Sequence, residues 1–249
     1  MIRSLTMTKL VTFSLSVLVA AGALAQQPKT ADELARRVVD VAVGPAWEKA
    51  RYFEFTFAVE HGNERTPGFP ERWDRVGGMY RVSGRDPKGN DFVVVMNVNT
   101  KKGRAWLNGE EVHDSRLDDT LMLAYRRFVN DTYWLLMPLK MSEAGVKREA
   151  LGERTDSCGR TWDVVKVSME GGDVAWAWIN RDTGLVDEWD MRLQNAPADE
   201  PPVQVMFHDY GRYAGLLIST RREVRNKNQV VRLDDLKVSS EVPKGAFEK

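Results

Sequence analysis

One cysteine in a chain of 249 residues excludes an intramolecular disulfide, so even in an oxidising compartment the fold must be held by burial alone. That residue, Cys158, lies between Asp156 and Arg160 and reads as a turn cysteine, not a nucleophile. Charge of one sign is also lacking: 36 basic residues face 36 acidic ones. The basic footprint of a nucleic-acid binder is absent, and no nucleic-acid partner is expected. Histidine is scarce. His61, His113 and His208 are scattered, and none has the spacing of a zinc site. No GxSxG elbow, phosphate loop or dinucleotide fingerprint occurs, and Gly77-Gly78 and Gly171-Gly172 read as turn or bulge glycines. Catalytic residues, metal ligands and cofactors are therefore not assigned. A serine brought to His208 in space is the one arrangement that sequence spacing leaves open.

Long hydrophobic runs are missing beyond the first 25 residues, and those residues have the three parts of a secretory signal. Arg3 and Lys9 charge the start, Leu10 to Ala21 is apolar but too short to span a bilayer, and Ala23-Leu24-Ala25 supplies small residues before Gln26. Removing Arg3 and Lys9 leaves 34 basic against 36 acidic residues on a mature chain, 26–249, of 224 residues. Nothing rich in Gly, Ser or Pro divides it, so one domain is expected. No cysteine stands directly after the cleavage site, so the product is expected to carry no N-terminal lipid anchor and to be soluble outside the cytoplasm; a monomer is expected.

What is present is pattern. Thr30 to Glu33 fits a capping box, and Leu34, Val38, Val41 and Ala42 keep helical spacing until Gly44-Pro45. The period then becomes two. In RYFEFTFAVE, Phe53, Phe55, Phe57 and Val59 share one face, as in a half-buried strand. Strands are predicted over Trp73–Val82, Asp91–Asn99 and Gly103–Leu107, the last closed by the turn pair Asn108-Gly109. A second helix is predicted from Ser115 to Val129, ended by Asn130-Asp131. Short strands follow at Tyr133–Met137, Lys147–Glu153, Thr161–Met169, Val174–Asn180, Leu185–Leu193, Val203–His208, Leu216–Val224 and Val230–Val238. The fold class is α+β, mainly antiparallel: about eleven strands, too many to stay flat and open, with two substantial helices.

All eight tryptophans lie in the mature chain. Trp176 and Trp178 share a strand face, and Trp106, Trp162 and Trp189 sit within other strands. Rings in those places either fill a core or line a concavity, and the spacing fits both.

Four segments carry a family resemblance: GPAWEKARYFEFTF, ERWDRVGGMYRV, FVNDTYWLLMPLKM and MFHDYGRYAGLLISTRREV. With the leader, one N-terminal helix, the strand meander and an inserted helix, the chain resembles the LolA/LolB-type periplasmic lipoprotein carriers, and within them a group of outer-membrane lipoprotein-sorting proteins. The resemblance implies an unclosed half β-barrel whose helices cover an apolar concave face that accepts acyl chains. Without a lipobox cysteine, the chain resembles the soluble carrier and not the anchored acceptor. None of the family's functional residues can be carried over by position.

In the motif segments, Asp74 and Arg75 alternate on a strand, so each is expected to pair with a neighbouring strand or a helix end. The expected ligand contacts are Phe53, Phe55, Phe57, Trp106, Tyr133, Trp134, Trp176 and Trp178. Two functions follow. One is a periplasmic carrier or binder of acyl chains or another lipid, with transient membrane contact. The other is an envelope sensor or interaction module that binds a protein partner on the same half-barrel.

Overall fold

The computed structural model describes residues 29–113, 115–197 and 199–249. The expected leader, 1–25, lies outside the described residues. Helix α1 (Ala31–Ala42) starts at the anticipated box: the Glu33 amide donates to Thr30 Oγ1 at 3.2 Å, and the Thr30 amide donates to the Glu33 carboxylate at 2.8 Å. After Gly44-Pro45 a single turn, α2 (Ala46–Lys49), leads into β1 (Tyr52–His61).

Thirteen further strands follow in one sheet: β2 (Glu64–Arg65), β3 (Phe69–Asp74), β4 (Met79–Arg85), β5 (Asp91–Asn97), β6 (Lys102–Leu107), β7 (Glu110–Glu111), β8 (Lys147–Thr155), β9 (Thr161–Ser168), β10 (Val174–Asn180), β11 (Val186–Arg192), β12 (Val203–Tyr213), β13 (Leu216–Val224) and β14 (Gln229–Ser239). Their spatial order is β7-β6-β5-β4-β3-β1-β14-β13-β12-β11-β10-β9-β8, with β2 beside β1. Every pairing is antiparallel. The chain is thus two meanders joined where β1 pairs with β14, and β7 and β8 stand at opposite edges of an unclosed sheet.

The segment from β7 to β8 must cross the whole sheet. It does so as helix α3 (Ser115–Leu136), whose 22 residues span about 33 Å at the standard rise. A 3₁₀ segment, Met137–Ser142, completes the crossing. Two expectations fail here. The predicted stop at Asn130-Asp131 is interior to α3, and the predicted strand Tyr133–Met137 is its last turn and the start of the 3₁₀ segment. The buried face of the helix runs Leu121, Ala124, Asp131 and Leu135, so an acidic residue occupies an apolar-stripe position and hides its continuity.

The predicted strand Trp73–Val82 is also two strands. Asp74 accepts hydrogen bonds from the amides of Val76 and Gly77 at 3.1 and 3.0 Å, and Gly78 adopts a left-handed φ of 73°, which reverses the chain. Arg51 grips the same carboxylate at 3.0 and 2.8 Å and holds it below its ordinary range. Its neighbour Arg75 turns the other way and donates to the carbonyls of Ala50 and Trp47, both at 2.8 Å, capping α2 as the helix-end pairing anticipated. We expect Arg75→Ala to cost about 1–3 kcal/mol in urea denaturation, because two carbonyl partners are lost together with the ring contact to Trp47 at 4.2 Å.

Three apolar clusters fill the concave side. The first packs α1, Met137 and Met141 onto β9 to β13; the second packs the end of α1, α2 and Leu135 onto β1, β13 and β14. The third packs the first half of α3 onto β4 to β6. On the convex side the last residues lie across the sheet, with the carbonyls of Ala246 and Glu248 accepting from Arg72 and Arg81 at 3.1 and 2.9 Å.

Candidate ligand-binding cleft

The packing is uneven along α3. Its last turn, with Leu135, is sealed against the sheet, whereas the stretch from Thr120 to Asp131 borders a cleft of about 1000 Å³ that opens to solvent between the helix and strands β1 and β3 to β6. That volume is at the upper end of small-molecule sites. The floor and walls are apolar: Phe57 and Val59 from β1, Phe69 from β3, Phe92 and Val94 from β5, Leu107 from β6, with Leu123 and Ala124 from the helix. Strand alternation explains the lining, because Phe92 and Val94 point to the same side of β5 and face the helix. His61, Arg85, Asp86, Arg126 and Asn130 supply the polar lining.

A buried ionic group borders the cleft. Asp131 lines it, and Arg127 Nη1 lies 3.2 Å from Asp131 Oδ2 while its guanidinium carbon sits 3.6 Å from the centre of the Phe69 ring. Beneath them, Glu71 on β3 is 0% exposed, and neither carboxyl oxygen has a well-formed hydrogen bond among the described residues. Burial, and then the neighbouring Asp131 carboxylate, hold Glu71 well above the usual carboxylate range. Tyr80, equally buried, has its phenol pushed up by burial and by the same acids. The arrangement sets one guanidinium, Arg127, beside two buried carboxyl groups, Asp131 and Glu71; it orients α3 over β3 and leaves the cleft walls apolar.

Of the eight expected contact residues, Phe57 alone lines this cleft. Phe53 and Phe55 face inward as expected but are sealed in the second cluster, where Phe53 lies 5.4 Å from Trp73. Tyr133 and Trp134 lie on α3, not on a strand, and pack into the sealed clusters. Trp106 faces the convex side, beneath Arg104 and the terminal Lys249. Trp176 and Trp178 also point outward, because Ala175, Ala177 and Ile179 take the inward positions of β10. Those three share one buried cluster with Leu34, Ala35 and Val38 of α1 and with Met137 and Met141 of the 3₁₀ segment. The sequence reading missed Phe69, Phe92, Leu107, Leu123 and the Arg127–Asp131 pair. Alternation in β5 was a visible signal, but its parity had no reference until the helix was placed.

No nucleophile forms around His208: Ser219 Oγ donates to the His208 carbonyl at 2.6 Å, while the imidazole faces Glu223 at 3.3 Å. Among the described residues no group of three or more metal-ligating side chains converges, and no helix is long and apolar enough to cross a membrane.

No family model and no curated protein matches the chain. Solved structures do. A structure of MucB shares 13% identity over 88% of this chain and 62% of its own, at a TM-score of 0.29. The MucA/MucB complex of Pseudomonas aeruginosa gives 12%, 88%, 60% and 0.26 in the same order. With 11% identity, 89% of this chain and 98% of the other covered, and a TM-score of 0.48, the chain is similar to a LolA superfamily protein of Nitrosomonas europaea.

Proposed function

We propose that the protein is a periplasmic binder or carrier of a hydrophobic ligand, with the acyl chains of a lipoprotein or another lipid as cargo in lipoprotein sorting, and that it catalyses no reaction. The observation that carries this reading is the open cleft of about 1000 Å³ with walls built from Phe57, Phe69, Phe92, Val94, Leu107 and Leu123. Transfer of a chain from water to such walls yields about 0.8 kcal/mol for each buried methylene. Part of that gain offsets the loss of ligand freedom on binding. Periplasmic placement follows from the leader-like first 25 residues.

Native mass spectrometry and lipid extraction of protein taken from its own periplasm test the reading directly. Co-purified acyl lipid supports it; a ligand-free protein that also fails to bind a fluorescent fatty-acyl probe overturns it. Leu123 is 65% exposed, so Leu123→Glu should leave the melting temperature nearly unchanged. The same substitution places a charge in the apolar wall and should weaken probe binding about 30-fold, near 2 kcal/mol.

A protein partner is the second reading. Met122 and Val129, seven residues apart on α3, form an exposed apolar strip, which suits an amphipathic segment of an envelope protein. A stable complex lost on polar substitution of Met122 and Val129, without co-purified lipid, would favour it over the carrier.

A further inference from the structure

Across α3 from the cleft, β13 carries a cation with no counter-charge. Arg222 is 1% exposed and points toward the helices, opposite Phe207 on β12 and Val231 on β14. Its Nη2 makes one long hydrogen bond, 3.4 Å, to the Leu135 carbonyl near the end of α3. Its Nε and Nη1 are buried with no hydrogen-bond partner, and no ion pair joins it to a carboxylate among the described residues. Burial pulls its pKa down to about 10, which still leaves a full positive charge at neutral pH. An unpaired ion in such surroundings is strongly unfavourable, and so is each unmade guanidinium hydrogen bond.

Beside the guanidinium lies a cavity of about 20 Å³, whose walls include Val38, Leu139, Val186, Phe207 and Tyr210. That is room for one group the size of a water molecule. Tyr210 cannot balance the charge, because burial raises its pKa and its phenol already donates to the Val186 carbonyl at 2.7 Å. Ser219 is also occupied, with the His208 carbonyl. A water molecule would satisfy the open donors but not the charge. A compact anion satisfies both, and charge-assisted hydrogen bonds from a guanidinium fork favour it further.

We propose that Arg222 is the floor of a site for one compact monovalent anionic group, either a halide ion or the carboxylate head of an acyl ligand. This site is separated from the large cleft by α3 and does not rest on the carrier reading.

The test uses the full chain. Melting temperatures are compared in sodium chloride, bromide and gluconate at equal ionic strength, and crystals soaked in bromide are searched for anomalous scattering within hydrogen-bond reach of Nε and Nη1. In parallel, dodecanoate and its neutral methyl ester are titrated. A halide-specific rise in melting temperature together with a bromide peak at Arg222 establishes the free ion. Dodecanoate binding at least about tenfold tighter than the ester, with the preference lost in Arg222→Met, establishes the carboxylate head. No halide dependence, no bromide peak and equal binding of acid and ester overturn the proposal. If Arg222→Met fails to fold, Arg222→Gln and the wild-type bromide experiment still decide it. Loss of cleft binding in Leu123→Glu leaves this outcome untouched, so the two readings fail separately.

Discussion

Arg127→Met should destabilise the protein by about 3–5 kcal/mol at neutral pH, and by less at pH 5. The substitution keeps a long side chain against Phe69 but removes the cation 3.2 Å from Asp131, a residue only 1% exposed. It leaves two buried acids facing each other. The sign of the pH dependence follows from Glu71. Its folded pKa is raised well above the ordinary value of 4.5, so the folded state holds a proton that the unfolded state has released. Stability from this group is fully present below that value and falls as pH rises toward the folded pKa. Arg127 opposes the upward shift of Glu71, so its removal extends the fall to higher pH. Glu71→Gln, which is neutral at every pH, should flatten the curve and stabilise the chain more at pH 8 than at pH 5. Denaturant midpoints at those two pH values check all three statements. An Arg127→Met protein as stable as wild type at both would show that the ionic group does not hold α3 to β3.

The second large effect separates the two faces of the sheet. Trp189→Ala should cost about 3–5 kcal/mol, whereas Trp178→Ala should cost about 1 kcal/mol. Both residues are strand tryptophans, Trp178 flanked by Ala177 and Ile179 and Trp189 by Glu188 and Asp190. Trp189 is 0% exposed and fits its cluster because its cross-strand neighbours are the small Ala177 and Val205. Removing the indole leaves a cavity that rigid strands on both sides cannot close. Trp178 lies half-buried on the convex face, its indole donating to Asp190 at 3.1 Å and its ring against Trp162. Water can replace much of what it loses. Urea denaturation with unchanged m-values checks the pair, and equal costs would mean that the inward face of β10 and β11 has been misassigned.

Much of the architecture is legible from residues close together in the chain. The Thr30–Glu33 box, the Asn108-Gly109 turn and the alternation of Phe53, Phe55 and Phe57 each use interactions a few residues long. Each appears where the pattern places it. Errors arose where a local pattern admits two readings. Tyr133, Leu135 and Met137 alternate like a strand, yet Leu135 also continues a helical stripe from Leu121 and Ala124 that Asp131 interrupts. Apolar burial over the full length of the crossing favours the helix, and Arg127 supplies the counter-charge that lets Asp131 be buried.

The candidate site was far less legible. Period-two alternation separates the residues of a strand into two sets but is symmetric between them, so nothing in it says which set meets the helices. Trp176 and Trp178 looked like a cavity lining, and their small neighbours Ala175 and Ala177 are what faces α1. Phe69, Phe92 and Leu107 lie on different strands and meet only when the sheet curls under α3.

By itself the amino-acid sequence determined the helix and most of the strands, the antiparallel meander and the lack of an intramolecular disulfide, because backbone conformation responds to neighbours within a turn or a hairpin and one cysteine cannot pair with itself. The tertiary structure alone decided the inward face of each strand, the full length of α3, the pairing of β1 with β14, the burial of Glu71 beside Asp131 and the isolation of Arg222. Those outcomes depend on where a helix comes to rest against a sheet, and that is settled by apolar area and volume summed over residues more than a hundred positions apart.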